Sequence, residues 1–129
     1  MKSRFFNDNT WRNATPSCTR ADMNDEFMAR LERAREIANT PFVVTSAARS
    51  REHEIRQGRN GTSSHVPIES NIKSERGARA VDIRCTESRA RFRIIFGAIQ
   101  AGFTRIGVHP TFIHLDDSPN HDPEVVWFY

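Results

Sequence analysis

The segment Phe112-Ile113-His114-Leu115-Asp116 alternates between apolar and polar side chains, and this period of two predicts a β-strand with two different faces. Its two aliphatic residues point to one side, whereas His114 and Asp116 point to the other. The segment Ala80-Val81-Asp82-Ile83 has the same pattern, with Asp82 opposite its aliphatic neighbours. Each strand is therefore expected to bury one face in a core and to present an imidazole or a carboxylate to a cleft.

Outside these strands, apolar spacing and turn residues divide the chain into a short series of elements. The predicted order is helix 24–39, strand 42–46, a brief helix 51–57, strand 80–83, a helix that starts after a cap at Thr86 or Ser88 and ends at Gly102, a hairpin of 103–108 with 112–115, and a closing strand 125–129. This order predicts an α+β fold with a small, mainly antiparallel sheet and flanking helices.

The second long helix carries large apolar residues at helical spacing, which favours a buried face there. These residues are Phe92, Ile95, Phe96 and Ile99. We expect them to pack in the core.

The length of 129 residues predicts a single domain over 1–129, because two smaller units would each lack buried area. Residues 1–22 combine Asn, Thr, Pro and Ser with isolated aromatics and are expected to form an irregular N-terminal arm over the domain. The two cysteines, Cys18 and Cys85, match no zinc or redox spacing, so we expect free thiols.

The net charge of +3 and the pI near 9.4 suit anionic surroundings, such as nucleic acid, a membrane surface or the anionic polymers of a bacterial wall, and charge alone does not choose among these. The arginines are dispersed rather than gathered with aromatic residues, which argues against a nucleic-acid partner. The chain has neither an apolar N-terminal region nor an apolar run long enough for a membrane span. We expect a monomer that is made in the cytoplasm without a signal peptide and has no membrane partner.

A candidate metal site follows from residue type. His65 ends the polar loop 58–64, and with Asp82 and His114 it offers two nitrogen ligands and one oxygen ligand. This set suits a tetrahedral Zn²⁺ with one position open for water, which is the arrangement of hydrolytic zinc sites. A long connection, 66–77, joins the first two of these ligands, and loops of that size in compact domains are often functional.

The chain resembles the zinc D-Ala-D-Ala carboxypeptidase and L-alanyl-D-glutamate endopeptidase family, whose fold is shared with lysostaphin-type enzymes and the hedgehog signalling domain. The likeness runs from about Cys18 to the C-terminus and suggests the phage or bacterial branch. It is carried by Thr45-Ser46-Ala47-Ala48-Arg49-Ser50, Ser63-Ser64-His65, Ala78-Arg79-Ala80-Val81-Asp82-Ile83, the stretch 101–108, His114-Leu115-Asp116 and Trp127-Phe128-Tyr129.

The resemblance implies that His65, Asp82 and His114 bind zinc and that Arg49 faces the substrate, where a guanidinium could hold a carboxylate or stabilise an oxyanion. Many members have a catalytic acid three residues before the last histidine, but here that position is Thr111. Asp116 is therefore expected to act either as the general base or as the group that orients a ligand imidazole.

These observations predict a zinc metallopeptidase that cleaves amide bonds in the stem peptides or cross-links of bacterial peptidoglycan, as an endolysin or a D,D-carboxypeptidase does. It would act on the wall after release from the cell or as a virion component. The alternative is a non-catalytic, metal-stabilised domain of the same fold that binds the cell wall or another protein.

Overall fold

A computed structural model of the protein describes residues 3–129, so residues 1 and 2 of the predicted arm and domain lie outside the described residues. The helices are α1 (Asp8–Arg12), α2 (Asp25–Ala38), α3 (Arg51–Arg56) and α4 (Ser88–Ala101), with a short 3-10 helix at Arg20–Asp22. The strands are β1 (Val44–Ser46), β2 (Ala80–Arg84), β3 (Arg105–Val108), β4 (Phe112–Asp116) and β5 (Val125–Phe128).

The five strands form one sheet in the order β1-β2-β4-β3-β5. Neighbouring strands are antiparallel except β3 and β5, which are parallel. The α+β fold with a mainly antiparallel sheet is therefore confirmed, and the predicted hairpin corresponds to β3 and β4. The closing strand returns to the outer edge of β3 and runs in the same direction, which local sequence patterns do not specify.

The hydrophobic core lies between the sheet and the pair α2 and α4. Val81 and Ile83 of β2 and the aliphatic residues of β4 are fully buried, as their alternation predicts. The two helices approach closely at Gly97, where an added Cβ would lie 2.5 Å from the carbonyl oxygen of Ala34. The core thus fixes the opposite, polar face of β2 and β4 toward a cleft.

The prediction of which face of α4 is buried is wrong. Phe92, Phe96 and Ile99 are 69%, 47% and 54% exposed, while Ile95 is only partly buried. The residues of α4 that face the core are instead Ile94, Gly97, Ala98 and Ala101. Both sets have helical spacing, and the close approach of α2 selects the face with the smaller side chains. None of the described helices is long and apolar enough to cross a bilayer.

The N-terminal arm packs on the domain through Phe6 and Trp11, both of which are buried. It is not wholly irregular, because residues 8–12 form α1 behind a capping box made by Asn7 and Thr10. In that box the Asn7 side chain accepts hydrogen bonds from backbone amides of the first turn, which offsets their lack of helical partners.

Candidate metal centre

The ligand atoms of His65, Asp82 and His114 converge at one point beside the sheet. Asp82 and His114 are direct partners in the β2–β4 pairing, and Asp82 Oδ1 lies 3.0 Å from His114 Nδ1. His65 Nε2 lies 3.2 Å from each of these two atoms. All three side chains are buried, so the structure brings together the three predicted metal ligands as a possible metal site.

The backbone on both sides of the 66–77 connection fixes His65. Arg49 N donates to the carbonyl oxygen of His65, and Arg79 N donates to that of Ser64. The amides and carbonyls of Ile68 and Gly77 form two reciprocal hydrogen bonds of 3.0 and 2.9 Å. Residues 69–76 therefore form a loop whose two ends are hydrogen-bonded to each other, and after this loop the chain enters β2 close to His65.

Gly77 permits this closure for two reasons. Its φ of +106° belongs to the left-handed region, and an added Cβ would lie 2.6 Å from the backbone nitrogen of Asn24. The Asn24 side chain caps α2 at Phe27 N and also donates to the carbonyl oxygens of Ser74 and Arg76. The start of α2 therefore anchors the end of the connection.

Hydrogen bonds outside the cluster fix which ring nitrogens carry hydrogen. His65 Nδ1 lies 2.7 Å from the carbonyl oxygen of Ala47, and a carbonyl only accepts, so Nδ1 donates and Nε2 is left with its lone pair. His114 Nε2 lies 2.5 Å from Asp116 Oδ2, which likewise leaves Nδ1 of the neutral ring with its lone pair. When both rings are neutral, three lone pairs thus face one another, and this arrangement is repulsive unless a proton or a metal ion lies between them.

This donor set fits zinc. Bonds of about 2.0–2.2 Å at tetrahedral angles would separate the ligand atoms by roughly 3.4 Å, close to the separations in the cluster. Two imidazoles and one carboxylate, each oriented by a further hydrogen-bonded group, also match the ligand types that zinc prefers. The fourth direction opens to a cleft.

The pKa values of the three groups in the metal-free cluster shift in different directions. Burial lowers the pKa of His65 and so favours its neutral, ligating form. Burial acts the same way on His114, but hydrogen bonds to Asp116 and Asp82 outweigh it and raise the pKa of that ring. Burial would raise the pKa of Asp82, but without a metal the hydrogen bonds from protonated histidine rings outweigh it and hold that pKa below its usual range, so the carboxylate is ionised.

Asp116 is fully buried behind His114. Its Oδ2 contacts the His114 ring and accepts from Ser64 Oγ at 3.0 Å. Its Oδ1 accepts from Ser118 N at 3.1 Å and forms an ion pair with Arg105 Nε at 2.8 Å. Both oxygens already have protein partners, which favours the orienting role for Asp116 over the role of general base.

Arg49 lies beside the candidate metal site and forms a hydrogen bond to the candidate ligand Asp82. Its Nη2 donates to Asp82 Oδ2 at 3.0 Å, its Nε to Ser46 Oγ at 2.8 Å and its Nη1 to Glu54 Oε1 at 3.1 Å. Glu54 Oε2 in turn accepts from Arg59 Nη1 at 2.8 Å. A chain of alternating charge therefore runs from the candidate ligand Asp82 through a fully buried Glu54 to Arg59.

Sequence reasoning missed Glu54 and Arg59. The helix pattern marks Glu54 only as one of several charged residues in α3, and its partners lie five positions away on either side, outside the helical spacing that signals an ion pair. Its burial between Arg49 and Arg59 is a feature of the tertiary structure.

A cleft of about 340 Å³ opens over the cluster. Its wall is formed by Arg49, Arg59, Ser63, Ser64, His65, Asp82, Arg105, Phe112, His114, Asp116, His121, Trp127 and Tyr129. Trp127 packs 5.3 Å from the His114 ring, centroid to centroid, and this requires Gly107, where an added Cβ would lie 2.6 Å from the indole. His121, which lies in the loop after β4, also contributes to the wall.

His109 contacts two aromatic residues of the cleft wall. Its ring stacks on Phe112 at 4.3 Å and meets Tyr129 at 5.4 Å. Its Nδ1 accepts from Thr111 N at 3.1 Å, so the hydrogen of the neutral ring is on Nε2. Thr111 is exposed at the turn between β3 and β4.

In this small α+β domain, the buried His-Asp-His cluster that lines the cleft could hold one divalent cation. The family model of peptidase M15 matches residues 7–116, and the chain therefore belongs to this peptidase family, as its motifs predict. The matched segment contains all three residues of the cluster. Searches of curated proteins and of solved structures give no match.

Proposed function

We propose that the protein is a zinc-dependent peptidase that hydrolyses amide bonds in the peptide part of bacterial peptidoglycan. The observation that carries the proposal is the convergence of one ligand atom from each of His65, Asp82 and His114 in a buried cluster that lines a cleft. Membership of the peptidase M15 family supports the reaction class. The basic surface supports an anionic polymer as the substrate.

Zinc in this site would lower the pKa of a bound water molecule to about 7 and polarise the scissile carbonyl. The chain supplies the positions of the ligands. The Ala47 carbonyl orients His65, Asp116 orients His114, and Arg49 holds one oxygen of Asp82 so that the other faces the histidines. We assign Asp116 the positioning role because both of its oxygens are already held by protein partners.

His109 is the next candidate for a role in the reaction. Its Nε2 carries the hydrogen of the neutral ring, and the ring contacts Phe112 and Tyr129, which line the cleft. A donor in this position suits stabilisation of a developing oxyanion.

The test is digestion of purified peptidoglycan, with mass spectrometry of the products. New amino groups should appear with the wild-type protein, disappear with a chelator and return with added zinc. His114→Ala should release none. Release of reducing sugars alone would contradict a peptidase, and a zinc-loaded protein that binds the polymer without cutting it would favour the non-catalytic alternative.

A further inference from the structure

Arg59 and Arg49 both lie in the cleft wall, but they differ in exposure and in the number of guanidinium nitrogens that donate to protein acceptors. All three nitrogen atoms of Arg49 donate to protein acceptors, and its side chain is 14% exposed. Arg59 is 50% exposed, and among the described residues its guanidinium has a hydrogen-bond acceptor only for Nη1, which is Glu54. Arg59 therefore has the larger number of N–H groups directed at solvent or ligand.

Glu54 holds Arg59 in place. The carboxylate is fully buried, and its Oε2 accepts from Arg59 Nη1 at 2.8 Å. The backbone gives a second tie, since Arg59 N donates to the carbonyl oxygen of Glu54 at 2.9 Å. A half-exposed arginine usually loses much side-chain entropy when it binds an anion, and these ties remove part of that cost in advance.

The charges of the cleft favour an anionic ligand. Three guanidiniums, those of Arg49, Arg59 and Arg105, are paired with three carboxylates, those of Glu54, Asp82 and Asp116. The paired groups balance, so a bound divalent cation leaves the cleft with two surplus positive charges. Arg105 is less free than Arg59, because it donates to the Asp122 carbonyl and packs over Trp127.

We propose that Arg59, held by the buried Glu54, binds a free carboxylate of the peptide substrate and so makes the cleft selective for acidic peptides. This inference rests on the proposed peptidase function and adds the substrate feature that the cleft recognises. Arg49 is then a positioning residue, which acts through Asp82 and Glu54 rather than through the substrate.

The test compares two synthetic stem pentapeptides, one with its carboxylates free and one with each carboxylate converted to a carboxamide. The variants are Arg59→Gln, Arg59→Lys and, as the matched control, Arg56→Gln, because Arg56 is exposed on the same part of the chain but absent from the wall of this cleft. Two readouts are used: KM and kcat with zinc present, and the Kd of each peptide for the metal-free protein by calorimetry.

Arg59→Gln should raise KM and Kd for the free-acid peptide about tenfold or more, the usual loss for a charge-assisted hydrogen bond, and leave the carboxamide peptide unchanged. Arg59→Lys should recover part of the loss, and Arg56→Gln should match wild type. The proposal is overturned if Arg59→Gln affects both peptides equally, or if the wild-type protein binds the free acid no more tightly than the carboxamide. Failure of the wild-type protein to cut either peptide would contradict the proposed function, while the calorimetric comparison would still decide the role of Arg59.

Discussion

Asp82 and His114 face each other across β2 and β4, with 3.0 Å between the carboxylate oxygen and the ring nitrogen. The register of one strand pair therefore sets two of the three candidate zinc ligands, and the third, His65, is added by the end of a loop. Substitution of a ligand should therefore disrupt the site, whereas substitutions elsewhere on the surface should leave it intact.

The purified protein should bind about one zinc ion per chain, because three ligands make one mononuclear site. His114→Ala and Asp82→Ala should each lose most of the metal, as measured by elemental analysis after dialysis. His53→Ala, a histidine of α3 outside the cluster, is the matched control and should keep it. Full zinc content in both ligand variants would contradict the assignment of the site.

Asp116→Asn should weaken zinc binding by about 10- to 100-fold, because the orienting carboxylate of a ligand histidine is lost. A competition titration with a chromophoric chelator measures this affinity. Asp122 is exposed in the loop between β4 and β5, and Asp122→Asn should leave the zinc affinity unaltered. Normal affinity with strongly reduced turnover in Asp116→Asn would show instead that Asp116 is the general base.

Glu54→Gln should lower the free energy of unfolding at neutral pH by about 3 kcal/mol, because two guanidiniums lose a buried counter-charge. Burial alone would raise the pKa of Glu54, but hydrogen bonds from Arg59 and Arg49 outweigh it and hold the pKa below 4.5. The Glu54 carboxylate therefore makes its full contribution to stability above pH 4.5, and this contribution is lost as the pH falls through the lowered pKa.

The difference between wild type and Glu54→Gln should accordingly shrink in acid, as measured by urea unfolding over a series of pH values. Glu52→Gln, an exposed change in the same helix, serves as the control and should show little difference at any pH. A gap that stays constant down to strongly acidic pH would mean that the Glu54 charge contributes nothing.

Gly77→Ala should destabilise the protein by about 2–3 kcal/mol and weaken zinc binding, because the new Cβ meets the backbone of Asn24 and displaces the end of the 66–77 connection. Gly58→Ala separates the two causes. Its φ is also positive, at +81°, but no atom lies within 4 Å of the added Cβ. Thermal unfolding should show a smaller loss there, of about 1 kcal/mol, and equal losses in both variants would exclude the clash as the cause.

Much of this architecture could be predicted from local sequence. The helix Asp25–Ala38 begins at the Asn24 cap and ends at Asn39 in the left-handed conformation, close to the predicted bounds. The strands of the hairpin and the polar face that carries His114 were also predicted, because the pleat imposes a period of two on any strand with one buried face.

The amino-acid sequence by itself determined which side chains share a face and which residue types supply a nitrogen and oxygen ligand set, since backbone geometry fixes both within a few residues. The tertiary structure alone decided which face of α4 is buried, the parallel addition of β5 to β3, and the burial of Glu54 between Arg49 and Arg59. These features depend on packing between segments that are distant in the chain, and two apolar faces or two strand directions differ in free energy only when the whole core is assembled.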